Sequence, residues 1–198
     1  MRDVAVTAAV VAVSLVGVEL VARRLGLAEL AARKALHVVA CLSAVLGAVV
    51  ADYRAFVVTG LVFTGLMAAT RFLPLATLAS FRRESRGEIF FPAGTALTAL
   101  IAPGQRAFIV AMLILGLADT AAALIGRRFQ SPSLVGTKTL AGSLAFLVTA
   151  GVLASFAVPW PQALAVAAAS AAAEALCPRG SDNLSVPVVA ALGFAVLA

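Results

Sequence analysis

The apolar positions of this chain come in blocks. Runs of about twenty residues, built from Ala, Val, Leu, Ile, Phe and Gly, are separated by short polar stretches. They follow neither the one-faced repeat of a surface helix nor the alternation of a strand. Blocks of this length predict transmembrane helices, and the missing dyad alternation argues against an outer-membrane barrel. Eight segments can be read: Val4–Ala22, Ala35–Ala51, Ala55–Leu73, Ile89–Ala102, Ala107–Gly126, Thr139–Val158, Pro161–Cys177 and Leu184–Ala198. The fourth and eighth are short and contain Pro92 and Pro187. Kinked or partly re-entrant segments are expected there, and seven spans is the alternative count. The first has Arg2 ahead of an apolar run, as a signal peptide does, but Glu19 and its length favour a retained span. The expected fold is all-α, a polytopic helix bundle forming one integral-membrane domain over residues 1–198.

The cationic positions orient this layout. Arg23, Arg24, Arg33, Lys34, Arg71, Arg82, Arg83, Arg86, Arg127, Arg128, Lys138 and Arg179 fall between odd- and even-numbered spans. Only Arg2, Arg54 and Arg106 fall on the other side, a ratio of twelve to three. The positive-inside rule then puts the N-terminus outside and the basic loops in the cytoplasm of a plasma membrane. Composition agrees: 63% of the 198 residues are hydrophobic and 12% charged, about half the charge of a soluble domain. The net charge of +6 has no soluble basic face to sit on, so no nucleic-acid partner is expected. Cys41 and Cys177 lack ligand spacing and are read as packing residues. The alanine-rich run Ala167–Ala175 is read as close helix packing. Nothing in the pattern sets an oligomeric state.

Candidate chemistry begins with carboxylates inside apolar segments, which are costly and functional by default. Glu19, Asp119 and Glu174 qualify. Asp119, Ala123 and Gly126 share one helical face, and the small residues leave room for another backbone or a ligand. The bland alternative is a helix–helix hydrogen bond. The sequence GRRFQSPSLVGTKTLAGSLA comes next, with Arg127, Arg128, then Gly136, Thr137, Lys138 and Thr139, and Gly142-Ser143 at the start of the sixth helix. A helix N-terminus with free amides, hydroxyls and a lysine suits phosphate, although the Walker spacing is absent. A carboxylate facing it suits Mg²⁺. Three more clusters lie on the same side: Arg33-Lys34 with His37, Arg86-Gly87-Glu88, and Glu174 with Ser181-Asp182-Asn183. Lys34 and His37 are three apart and can share a face. Glu88, Asp182 and Ser181 also read as helix caps.

Taken together, RKALH at Arg33–His37, RGEIFFPAG at Arg86–Gly94, DTAAALIGRRF at Asp119–Phe129, GTKTLAGSLA at Gly136–Ala145 and the acidic SDN region at Glu174–Asn183 resemble one known family. It is the CTP-dependent polyprenol kinases, dolichol kinase and phytol kinase among them, which are related to the phosphatidate cytidylyltransferases. The resemblance implies transfer of the γ-phosphoryl group of CTP to an isoprenoid alcohol in the bilayer, with Mg²⁺. Two positions depart from the family pattern: Ala141 where an acidic residue is common, and Gln130 where glycine is common.

Under this reading Asp119 is the expected Mg²⁺ ligand, with Asp182 or Glu88 as second ligand. Gly136, Thr137, Lys138, Thr139, Gly142 and Ser143 hold the triphosphate, with Arg127, Arg128, Lys34 and Asn183 as further contacts. Asp182, Glu88 or His37 accepts the alcohol proton. A phosphatidate cytidylyltransferase is the near alternative. A small proton-coupled transporter, using Glu19, Asp119 and Glu174 as a relay, is the alternative of another class.

Overall fold

The computed structural model describes residues 1–25, 29–70, 86–177 and 180–197. Arg71, Arg82, Arg83 and Arg179 lie outside the described residues, as do the side chains of Glu19, Arg23 and Arg33. The fold is all-helical: α1 (Arg2–Leu25), α2 (Glu29–Val50), α3 (Ala55–Ala69), α4 (Gly87–Ile101), α5 (Gln105–Leu113), a π-helical turn (Ile114–Ala118), α6 (Asp119–Arg128), α7 (Leu140–Ala154), α8 (Trp160–Leu176) and α9 (Asp182–Leu197). The stretch from α5 through the π-turn to α6 is one continuous rod, Gln105–Arg128. Each apolar block therefore corresponds to one rod. Among the described residues this central rod alone has the length and hydropathy to cross a membrane by those criteria.

Local chemistry sets the ends. Glu29 to Lys34 is a run of helix formers, so α2 begins at Glu29 and not at the expected Ala35. Lys34 consequently sits within a helix and not in a loop. At the opposite end, Asp52 Oδ1 accepts from the Arg54 amide at 2.9 Å and turns the chain into α3. Pro103 comes just after the end of α4, and Pro161 sits in the first turn of α8. Neither internal proline breaks its helix: α4 continues through Pro92 and α9 through Pro187. The expected absence of strands has one exception. Ser133–Val135 pairs antiparallel with Lys138–Thr139, and Gly136, at φ 55°, makes the reversal between them.

The central rod packs against α2, α7 and α9, and Phe108, Met112, Ile114 and Leu115 on it are fully buried. The remaining core is made mostly of small residues, including Ala44, Ala48, Ala111, Ala150, Ala167 and Ala190. Large aliphatics lie outside: Val13, Leu61, Leu100, Val148 and Val196 are all more than half exposed. Close approach comes from small side chains. A Cβ on Gly94 of α4 would collide with the backbone of Asn183 and Leu184 at the start of α9.

Candidate functional site

One end of the bundle holds most of the charged side chains among the described residues, and the π-turn aims the first of them. A π-turn holds an extra residue, which rotates the next helical segment by about 100° relative to an unbroken helix. Asp119 is the first residue after it and is 8% exposed. Lys34 Nζ donates to Asp119 Oδ2 at 2.6 Å across the α2–α6 interface. His37, one turn further along α2, places Nε2 3.5 Å from the same oxygen and 3.2 Å from the Leu115 carbonyl within the π-turn. Its ring meets Phe91 edge-on at 6.1 Å between centroids. Lys34, His37 and Asp119 thus form one cluster.

A second cluster joins the hairpin to α8 and α9. Lys138 Nζ donates to Glu174 Oε1 and, at 3.4 Å, to Asp182 Oδ2. The Glu174 side chain is only 3% exposed, so its charge depends on this partner. Burial pulls the Lys138 ammonium down, but Glu174, then Asp182 and Asp119 outweigh it and hold it above the ordinary lysine range. The influence of Asp119 on Lys138 puts both clusters in one electrostatic field. Beside them Asn183 Nδ2 donates to the Gly87 carbonyl at 3.4 Å, tying α9 to the start of α4.

Both clusters line a single cavity of about 1310 Å³, along with Glu88, Arg127, Thr137, Thr139, Gly142, Ser143 and Asn183. The cavity continues into an apolar limb between Val11, Val16 and Leu20 of α1, Phe63 and Met67 of α3, and Phe91 and Pro92 of α4. Its floor includes Phe56, which stacks on Phe108 at 5.4 Å. The Ser143 hydroxyl is buried with no hydrogen-bond partner in the protein. The chain has two lysines, Lys34 and Lys138, and both lie in this cavity. Headgroup anchoring does not account for that placement.

Several expected roles change. The start of α7 was expected to offer free amides to phosphate, yet its first three are taken. Leu140 N donates to the Pro132 carbonyl at 2.9 Å, Ala141 N to Ser131 Oγ at 3.0 Å and Gly142 N to Thr139 Oγ1 at 3.3 Å. Thr139 is therefore a helix cap. Gly142 is a packing residue, since a Cβ there would lie 2.9 Å from the Ala122 carbonyl. The room below Asp119 is likewise used by backbone, because Gly126 faces Gly142 and Thr139. Gly136 serves the hairpin turn and does not line the cavity. Arg128 lies over the Phe129 ring at 5.9 Å, outside the cavity lining. Two features escaped sequence reasoning. The π-turn has no composition signal. The Lys138–Glu174 pair spans 36 residues, although a buried glutamate near a helix end was its one visible trace.

The donor set bears on Mg²⁺. Among the described residues no group of three or more His, Cys, Asp or Glu is placed to hold a metal. Asp119 and Asp182 belong to separate ion pairs. That arrangement fits a Mg²⁺ shared with phosphate oxygens, which needs only one or two carboxylates, and not a resident all-protein site. Comparison of the chain with family models, curated proteins and solved structures returns no match.

Proposed function

We propose that this chain is an integral membrane kinase that moves the γ-phosphoryl group of CTP to the hydroxyl of an isoprenoid alcohol at the cytoplasmic face. The observation that carries the reading is the two-part cavity, with an apolar limb opening into a cluster of two lysines, a histidine and four carboxylates. A lipid alcohol needs that combination. Its tail requires apolar walls, and its hydroxyl must meet a charged donor.

The inside-out packing supports the membrane setting. Small residues in the core with Leu and Val outside is the membrane pattern, because lipid solvates the large side chains. The 15-residue helices α3, α4 and α7 rise about 22 Å, less than the roughly 30 Å hydrocarbon core. Local bilayer thinning accommodates such spans. Under this reading the eight rods are eight spans, and the charged end faces the cytoplasm as the distribution of basic residues requires.

In the reaction the alcohol oxygen forms a bond to the γ-phosphorus as the bond to the bridging oxygen breaks, and CDP leaves. Catalysis of this step is mainly positioning and charge neutralisation. Lys34, Lys138 and Arg127 are the cations available to the phosphates. Asp119 and Asp182 are the carboxylates available to Mg²⁺, which supplies charge neutralisation when bound. His37 sits where the apolar limb meets the charged end and is the group we assign to receive the alcohol proton. Phe56 lines the limb and stacks on Phe108, which in turn meets Tyr53.

The test is a product assay. Membranes containing the protein are given CTP labelled in the γ-phosphate, Mg²⁺ and phytol, farnesol or undecaprenol. Labelled lipid monophosphate with CDP is expected. Pyrophosphate release with phosphatidate would instead indicate the cytidylyltransferase, and neither product would overturn the reading.

A further inference from the structure

We infer that the apolar limb selects the alcohol by length: it holds a tail of about three isoprene units, and Phe56 on α3 sets that limit. This rests on the proposed kinase reading and narrows its substrate class. Three helices give the depth independently. Counted from His37, where the limb meets the charged end, the cavity lining on α2 runs to Ala44. On α3 it runs from Met67 to Phe56, and on α4 from Gly87 to Thr95. Among the described residues it goes no deeper on any of them. At about 1.5 Å per residue these runs span roughly 10–16 Å. An extended isoprene unit covers about 5 Å in its four carbon–carbon bonds. A tail whose hydroxyl lies beside His37 therefore reaches the last lining residues within about two to three units.

The walls change along the limb. Val16 and Leu20 of α1 are more than half exposed, whereas Ala44, Phe56 and Thr95 at the deep level are all buried. A tail that enters tip-first ends among packed side chains. The Phe56 ring occupies the space next to them. It stacks on Phe108 at 5.4 Å, and its Cζ lies 2.7 Å from where a Cβ on Gly47 would stand. Gly47 is one turn beyond Ala44 on α2, and its missing side chain makes room for the ring. Selection here works by fit and not by hydrophobicity. The bilayer solvates a tail as well as the limb does, so extra length brings no gain by itself. A tail too short leaves the deep end unfilled and loses contacts. A tail too long must fold back or displace packed side chains.

The test is a chain-length series. The full-length protein in nanodiscs is given γ-labelled CTP, Mg²⁺ and geraniol, farnesol, geranylgeraniol or undecaprenol at equal mole fraction in the lipid. The same alcohols are measured by thermal shift without nucleotide. In the wild type, kcat/KM for farnesol should exceed that for geraniol several-fold and that for undecaprenol at least about tenfold. Phe56→Ala frees the volume of the ring and should raise geranylgeraniol relative to farnesol about tenfold. Val11 lines the limb and is only partly buried. Val11→Phe should fill the limb and favour geraniol over farnesol, and it carries the test if Phe56→Ala does not fold. Undecaprenol used as well as farnesol by the wild type overturns the inference and leaves the kinase reading standing. So does a length profile unchanged in both variants. Thermal shifts in the expected order with no phosphate transferred overturn the kinase reading and leave the limb as a tail site. Neither transfer nor shift overturns both.

Discussion

At one end of the bundle, helices reverse within a few residues and the polar groups are almost all spent on those reversals. Tyr53 donates to the Ala102 carbonyl at 3.3 Å, Gln105 Nε2 to the Ala48 carbonyl at 2.8 Å, and Asp52 accepts from Arg54 N. Each bond ties a side chain to backbone at a turn, and the Tyr53–Phe108–Phe56 stack fills the space behind them. At the other end the bonds run between side chains far apart in sequence. Lys34 and Asp119 are separated by 85 residues, and Lys138 and Asp182 by 44. Those pairs close no turn and cap no helix. The first end is explained by folding alone. The second puts charges in a cavity where hydrophobic residues of similar volume would cost no desolvation, and that excess is what a functional site looks like.

The sharpest test of the contrast is topological. A cysteine placed at Leu134 in the hairpin should react with an impermeant maleimide only from the cytoplasmic side, and one at Arg54 only from outside. Labelling of both from one side would break the proposed orientation. Next in size is the effect on transfer. Asp119→Asn keeps the shape but loses the charge, and should lower phosphate transfer by about 100-fold or more, as loss of a preorganised electrostatic group does. Tyr53→Phe at the opposite end should leave transfer within about twofold.

Stability separates the ends more gently. Lys138→Met strands Glu174 and should cost about 3 kcal/mol, read as a lower Tm in detergent. Because the Lys138 pKa is raised, its contribution is present below the unfolded lysine value of about 10.4 and is lost only as pH climbs through the higher folded value. Unfolding measured across the neutral range should therefore show no loss traceable to the titration of Lys138. Gly94→Ala should cost roughly 1–3 kcal/mol by forcing α4 away from Asn183, with a matching loss of nucleotide binding. Tyr53→Phe should cost the least, roughly 1 kcal/mol for one buried hydrogen bond.

Much of this molecule is readable along the chain. Each apolar block became a helix because its Ala- and Leu-rich composition favours helix and its length exceeds that of a strand. Lys34, His37, Asp119, Lys138 and Asp182 stood out because charge inside or beside such blocks is costly, and they converge on one cavity. What pairs with what was not readable. GTKTLAGS reads as a phosphate loop, but Ser131, Pro132 and Thr139 use up the amides that reading needs. Those acceptors come from a hairpin whose few residues carry no strand signal. Likewise the start of α2 was misplaced by hydropathy because Glu29–Lys34 is polar yet strongly helix-forming.

The distribution of apolar and charged residues settles the helical class and marks the polar stretches from which the charged cavity is built, since both stem from one-dimensional solvation preferences. The partner of each charge depends on how helices lie against one another. The π-turn before Asp119, the glycine contact between α4 and α9, and the 3% exposure of Glu174 are products of three-dimensional packing. Those features turn a set of costly residues into two opposed pairs, and they rest on contacts between positions that are distant along the chain.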